Sequence, residues 1–186
     1  MKKEFFYLSN LLSLLRMFLA IPFWILISQN HFNDNRILVG SICIFAAVTD
    51  ILDGFLARKL NQVSEFGKII DPLADKVCVG ILILKLFLLD QIPLYYLVII
   101  LGRDLLIFIG GIFTSNRLKK VIPSNYIGKA TVVDISLVLL FIIFGMAETN
   151  LIFLSLFYSS IGLSFISLIS YSINAYKLLN VKNEHI

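Results

Sequence analysis

At 186 residues, with 59% hydrophobic and 15% charged side chains, the chain departs from a soluble domain, which carries roughly 45–50% apolar and about 25% charged residues. A mean hydropathy of +0.91 predicts an all-α membrane protein, because helices satisfy their own backbone amides in lipid and the alternating pattern of a closed barrel is absent. The formal charge of +4 is spread over short loops, which speaks against a nucleic-acid surface and suits a face drawn to anionic lipid.

Six spans are predicted, each near the ~20 residues that cross ~30 Å of hydrocarbon. The first runs from Leu8 to Ser28. Its start, Met1-Lys2-Lys3 before an apolar stretch, has the outline of a signal peptide. Arg16 interrupts that stretch and no small-residue cleavage site follows, so a retained helix is expected. The second span covers Ile37–Ala57, the third Ile69–Leu89, the fourth Leu94–Thr114, the fifth Tyr126–Met146 and the sixth Leu151–Tyr176. Pro93 and Pro123 precede the fourth and fifth, where a missing N–H costs nothing. Asp90-Gln91 and Glu148-Thr149-Asn150 are polar turns. With no linker, low-complexity tract or repeat, a single domain over residues 1–186 is expected. Cys43 and Cys78 lie in apolar segments and fit small hydrophobes. Trp24, Tyr95 and Tyr96 fit an interfacial aromatic belt, and Lys85 can extend toward the far interface.

Lysine and arginine placement sets orientation. Lys2, Lys3, Arg58, Lys59, Lys68, Arg117, Lys119, Lys120, Lys177 and Lys182 fall on one side, and the opposite turns carry Arg36 alone. Both termini and the loop between the second and third spans are therefore expected in the cytoplasm.

That loop is flanked by four aspartates. Asp50 and Asp53 lie near the end of the second span, Asp71 and Asp75 near the start of the third. A carboxylate at membrane depth costs about 2.5–3.5 kcal/mol on insertion scales, so it faces a cavity or a partner. Spacings of three and four put each pair on one helical face, and antiparallel neighbours can turn those faces together. Converging carboxylates repel unless protonated or neutralised by cations. Oxygen-only ligands suit a hard divalent ion, Mg²⁺ or Mn²⁺, and the absence of His and Cys from the cluster argues against zinc. An ion-pair network with Arg58, Lys68 or Lys76 is the purely structural alternative. Gly54, Ala57 and Gly67 would let a flat ligand approach closely, and Arg58 offers a planar fork for phosphate oxygens. Together these parts describe a diphosphate site.

The stretch Asp50-Ile-Leu-Asp53-Gly54-Phe-Leu-Ala57-Arg58, then Gly67, Asp71 and Asp75 at fixed intervals, resembles the signature of the CDP-alcohol phosphatidyltransferase family at every specified position. The resemblance implies a six-helix membrane enzyme with its metal site on the cytoplasmic side, between the second and third spans. It implies that Asp50, Asp53 and Asp71 bind a pair of divalent ions. Asp75 would serve both as general base and as ligand. The CDP-lipid would be held by Gly54, Ala57, Arg58, Ser64 and Gly67. The opening Asn10-Leu-Leu-Ser13-Leu-Leu-Arg16 is similar to the Asn-x-x-Thr-x-x-Arg of many members, which adds Asn10 and Ser13 to that set; a helix N-cap accounts for Asn10 equally well. The implied reaction moves the phosphatidyl group of CDP-diacylglycerol to an alcohol and releases CMP. A homodimer in a bacterial inner membrane is the implied setting.

The acceptor is less legible. The run Phe66-Gly67-Lys68-Ile69-Ile70-Asp71-Pro72-Leu73-Ala74-Asp75-Lys76 looks most like the phosphatidylglycerophosphate synthase and cardiolipin synthase branch. Glycerol-3-phosphate is the favoured acceptor, with phosphatidylglycerol as the alternative and inositol phosphate and serine behind them. A phosphate on the acceptor calls for cations, and Arg103 and Lys129 are the candidates. For Arg103 the competing reading is an ion pair with Asp104. Arg117, Lys119 and Lys120 fit orientation signals. Gly102-Arg103-Asp104 departs from the Ala-Arg-Glu of glycerophosphate-using relatives and is nearer some cardiolipin synthases. Gly128-Lys129-Ala130-Thr131 is a residue shorter than their Gly-Lys-x-Lys-Thr and lacks the second cation. Asp134 is expected to face a hydrated cavity or pair with a basic neighbour. An ion-coupled transporter would also bury aspartates, but its inverted repeats and midplane sites are not seen. A non-catalytic membrane protein would have no need of all four aspartates.

Overall fold

The computed structural model describes residues 21, 24–27, 32–59, 67–118, 125–146 and 150–183; for 33, 50–59, 67–75, 116–117 and 179–183 it describes the helical backbone alone. Five helices follow in order: α1 (Phe32–Lys59), α2 (Gly67–Leu88), α3 (Leu94–Leu118), α4 (Tyr126–Ile143) and α5 (Leu151–Asn183). Residues 24–26 are also helical, and no strand occurs among the described residues. These helices coincide with the second to sixth expected spans, and α3, α4 and α5 begin at the residues expected from sequence. The first span lies outside the described residues except at 21 and 24–27. Three stretches among the described residues are long and apolar enough to cross a membrane: Leu94–Ser115, Tyr126–Ile143 and Leu151–Leu178. The described residues are all-helical, and these three stretches are those of a membrane protein.

Two compact units divide the chain, Met1–Gln91 and Ile92–Ile186. In the first, Ile27, Phe32, Val39, Ile83 and Leu86 are buried. Lys85, in the last turn of α2, places its Nζ 4.3 Å from the centre of the Trp24 ring. An ammonium over an indole face is held by the ring quadrupole, by about 0.5–1 kcal/mol where exposed and more where desolvated. The α2 helix closes with Asp90 N donating to Phe87 O and Gln91 N to Leu86 O, and Asp90 takes a left-handed φ of 55°. Pro93 precedes α3 as expected, and its carbonyl accepts from Tyr96 N and Leu97 N at the start of that helix.

The second unit is built on α5, which packs along both α3 and α4. Hydrogen bonds give the directions. Tyr96 meets Ser160 and Arg103 meets Ser167, both pairs 64 residues apart, so α3 and α5 run parallel. Against α4 the separations fall from 45 (Asn125–Ser170) to 32 (Thr131–Leu163) to 25 (Asp134–Ser159), so α4 runs antiparallel. Ile100, Ile135, Val138, Leu139, Ile142 and Ile143 fill the core. Tyr96 stacks on Phe157 with ring centroids 4.4 Å apart, and Phe153 and Tyr158 extend the cluster.

Burial runs the opposite way to that of a water-soluble bundle. Ser160, Ser164, Ser167, Thr131, Arg103 and Asp134 are buried, whereas Val98, Leu105, Leu106, Ile109 and Phe113 of α3 are more than half exposed. In lipid the exposed apolar surface has no cost, and small hydroxyl residues between helices permit close approach while bonding within their own helix. Ser164 Oγ donates to Ser160 O and Ser167 Oγ to Ser164 O. Tyr96 corrects the belt assignment. Tyr95 is exposed, but Tyr96, about 100° further round the helix, is fully buried with its hydroxyl 3.0 Å from Ser160 Oγ.

Candidate functional site

Asp50, Asp53, Gly54, Ala57 and Arg58 all fall in the last three turns of α1. At ~100° per residue these five positions share one side of the helix, an arc of roughly 140°. Gly67 opens α2, and Asp71 and Asp75 follow at successive spacings of four, again one stripe. Measured along each axis from the connecting loop, Asp53 and Asp50 lie ~9 and ~13 Å deep, and Asp71 and Asp75 ~6 and ~12 Å. Along the chain, the four aspartates thus fall within ~13 Å of the ends of α1 and α2 that flank residues 60–66. Pro72 falls inside α2 and donates no N–H toward the carbonyl of Lys68, so the backbone here is helical without its full ladder. The side chains of Asp50, Asp53, Gly54, Ala57, Arg58, Gly67, Asp71 and Asp75 lie outside those described, as do Asn10, Ser13 and Ser64 entirely. Among the described residues no group of three or more His, Cys, Asp or Glu side chains comes together.

Both acceptor candidates belong to the second unit. Arg103 is 5% exposed at the middle of α3. Its Nε donates to Ser167 Oγ at 2.9 Å and its Nη1 to the Asp104 carboxylate, so the anticipated ion pair is present and a serine of α5 joins it. Nη2 has no acceptor among the described residues. Burying a guanidinium is tolerable only with such partners, since an unpaired charge in a poor dielectric is costly.

Lys129 lies exposed in the first turn of α4. The turn is held by Asn125, whose Oδ1 accepts from Gly128 N at 2.7 Å and whose Nδ2 donates to Ser170 Oγ at 2.8 Å. Gly128 is buried against Tyr171. Asp134 is buried within α4 and accepts from Ser159 Oγ at 2.6 Å. Sequence reasoning missed Ser167 and Asn125. Serines at 160, 164 and 167 repeat at helical spacing in an otherwise apolar span, and Asn125 precedes a helix as a cap does; those were the available signals.

The model of the CDP-alcohol phosphatidyltransferase family matches residues 6–166. A CDP-diacylglycerol–glycerol-3-phosphate 3-phosphatidyltransferase of Aquifex aeolicus is 41% identical over 133 residues, which cover 70% of this chain and 72% of that protein. A protein of the same name from Bacillus subtilis is 33% identical over 156 residues, with 73% and 77% covered. One from Mycoplasma pneumoniae is 29% identical over 205 residues, with 94% and 90% covered.

Proposed function

The chain belongs to the CDP-alcohol phosphatidyltransferase family, and from that membership we propose that it transfers the phosphatidyl group of CDP-diacylglycerol to glycerol-3-phosphate, releasing CMP. The observation that carries the acceptor is the shared name of relatives up to 41% identical, all glycerol-3-phosphate enzymes by that name. The intact run of eight signature residues from Asp50 to Asp75 carries the chemistry.

The donor set fits divalent metal. Four carboxylates and no nitrogen or sulfur ligand, borne on two successive helices, suit two Mg²⁺ or Mn²⁺ ions held by Asp50, Asp53, Asp71 and Asp75. Bound there, such ions supply the positive charge that a diphosphate leaving group requires. Asp75 takes the proton of the acceptor hydroxyl. The freed oxygen attacks the lipid-side phosphorus, its bond to the CMP oxygen breaks, and CMP departs. Gly54, Ala57 and Gly67 let the nucleotide lie against the helix, Arg58 donates to its phosphates, and Asn10, Ser13 and Ser64 complete the CDP-lipid contacts. Arg103 and Lys129 hold the acceptor phosphate.

Six spans, cytoplasmic termini and a cytoplasmic site in the cell membrane complete the reading, supported by the one-sided distribution of lysine and arginine; a homodimer is the expected assembly. A cardiolipin synthase using phosphatidylglycerol is the second reading. It is favoured by Gly102-Arg103-Asp104.

The test is CMP release by the purified full-length chain in detergent, with CDP-diacylglycerol, Mg²⁺ or Mn²⁺, and glycerol-3-phosphate, phosphatidylglycerol, inositol phosphate or serine. Release is expected with glycerol-3-phosphate and metal only, and Asp75→Asn lowers it by about 10²–10⁴-fold. Asp50→Asn is expected to insert normally and lose the metal-dependent rate. Turnover with phosphatidylglycerol alone moves the assignment to the second reading, and metal-independent solute flux through liposomes would mark a carrier.

A further inference from the structure

We propose that Ser167 is a positioning residue for the acceptor: through its hydroxyl on α5 it holds the guanidinium of Arg103 on α3 in the one orientation that presents Nη2 to the acceptor phosphate. The inference rests on the reading of Arg103 as a phosphate contact. An arginine side chain has four rotatable bonds, and a phosphate gains most from it when the planar fork is already aimed. Here two of its three nitrogens are engaged. Ser167 Oγ accepts from Nε at 2.9 Å, and the Asp104 carboxylate accepts from Nη1.

The two partners differ in kind. Asp104 is the next residue on the same helix and 21% exposed. Ser167 is fully buried on a neighbouring helix and fixed in turn by donating to Ser164 O at 3.0 Å. Its single proton is committed to that carbonyl. The lone pair offered to Arg103 therefore points in a fixed direction, and the guanidinium plane is set by α5 rather than by α3 alone. The third nitrogen, Nη2, is left for a ligand; a phosphate monoester has the charge and the oxygens to take it. Asp104 offsets the arginine's charge, so alignment rather than net charge must supply much of the affinity.

A built-in comparison exists on the same helix. Ser164 is equally buried and also donates to a backbone carbonyl, Ser160 O, at 2.7 Å, but it accepts nothing from Arg103. Ser167→Ala and Ser164→Ala thus make the same chemical change a turn apart, and only the first touches the guanidinium.

The experiment is steady-state kinetics of the full-length enzyme in detergent with CDP-diacylglycerol and glycerol-3-phosphate. Four variants are compared with wild type: Ser167→Ala, Ser167→Thr, Ser164→Ala and Arg103→Gln. Ser167→Ala is expected to raise KM for glycerol-3-phosphate about tenfold, the scale of one lost hydrogen bond to a charged group. Its kcat and its KM for CDP-diacylglycerol stay close to wild type. Ser167→Thr keeps the hydroxyl and the wild-type KM, and Ser164→Ala leaves all constants in place. A Ser167→Ala enzyme that loses kcat and both affinities together, or does not fold, combined with a raised KM in Ser167→Thr, would make the serine structural and overturn the proposal. If Arg103→Gln raises KM for glycerol-3-phosphate and Ser167→Ala does not, the arginine is an acceptor contact aimed by something else, and only the positioning role falls. If Arg103→Gln leaves that KM unchanged, the reading of Arg103 itself falls and Ser167 falls with it.

Discussion

A side chain at residue 128 has no room. A Cβ built on Gly128 would lie 2.8 Å from Asn125 Oδ1 and 2.9 Å from Tyr171 Cε2. The first atom is the helix cap itself, already bonded to Gly128 N, and the second is the edge of a ring on α5. Any methyl group must therefore either dislodge the cap or push α5 away from the start of α4. Losing an Asn cap costs about 1 kcal/mol, and overpacking a tight contact typically costs about 1–3 kcal/mol. Gly128→Ala is expected to destabilise the purified protein by about 1–3 kcal/mol, read as a lowered thermal unfolding midpoint in detergent. An unchanged midpoint would mean that Tyr171 can swing aside freely. In the sequence Gly128 invites a functional reading because Lys129 follows it. Its close contact with Tyr171, 43 residues on (171 − 128), is a packing fact that no local pattern contains.

Two helix ends with the same geometry but different residues allow a comparison within the molecule. After α2, Gln91 N reaches Leu86 O and Asp90 N reaches Phe87 O; after α4, Met146 N reaches Phe141 O and Gly145 N reaches Ile142 O. Both chains reverse through a left-handed residue, Asp90 at φ 55° and Gly145 at φ 72°. Glycine meets no Cβ penalty there, whereas an L-residue costs roughly 1–2 kcal/mol, less for aspartate, and a carboxylate beside a helix C-terminus opposes the dipole. Part of that gain is offset by the greater freedom glycine has when unfolded. Asp90→Gly is therefore expected to stabilise by about 0.5–1 kcal/mol, and Gly145→Ala to destabilise by about 1 kcal/mol, both by thermal unfolding. Equal and opposite behaviour at the two sites would support the shared motif; a destabilised Asp90→Gly would mean that the carboxylate has a bond of its own. At this scale the elements were highly legible, because apolar length sets a span and Pro93 and Asn150 mark starts. The end of α5 was not, since its helix continues through Lys177 to Asn183, well past the apolar stretch that defines the span.

Across the whole molecule, hydropathy and charge reveal different things. The described apolar helices and the aspartate signature were legible because each is a local pattern, whereas the packing order of the helices was not. Every apolar face is equivalent in lipid, and nothing in the sequence says that Tyr96 turns inward while Tyr95 turns out, or that Arg103 finds Ser167. The observed directions do constrain topology within the second unit. Because α3 and α5 are parallel and α4 antiparallel, the start of α3 and the end of α5 belong on opposite sides of any membrane all three cross. Which side is which then rests on charge, with Lys177 near the end of α5 and Asp90-Gln91 in the turn before α3. This can be checked by labelling with a membrane-impermeant maleimide in intact spheroplasts, starting from a chain with Cys43→Ala and Cys78→Ala. Gln91 is exposed in its turn, and Gln91→Cys is expected to label without permeabilisation. Lys177→Cys, also exposed, is expected to label only once the membrane is opened. The reverse pattern would place the aspartate loop outside the cell, away from a cytoplasmic supply of CDP-activated lipid, and the proposed reaction would lose its substrate. Labelling of both positions from one side would contradict the parallel packing of α3 and α5 across a bilayer.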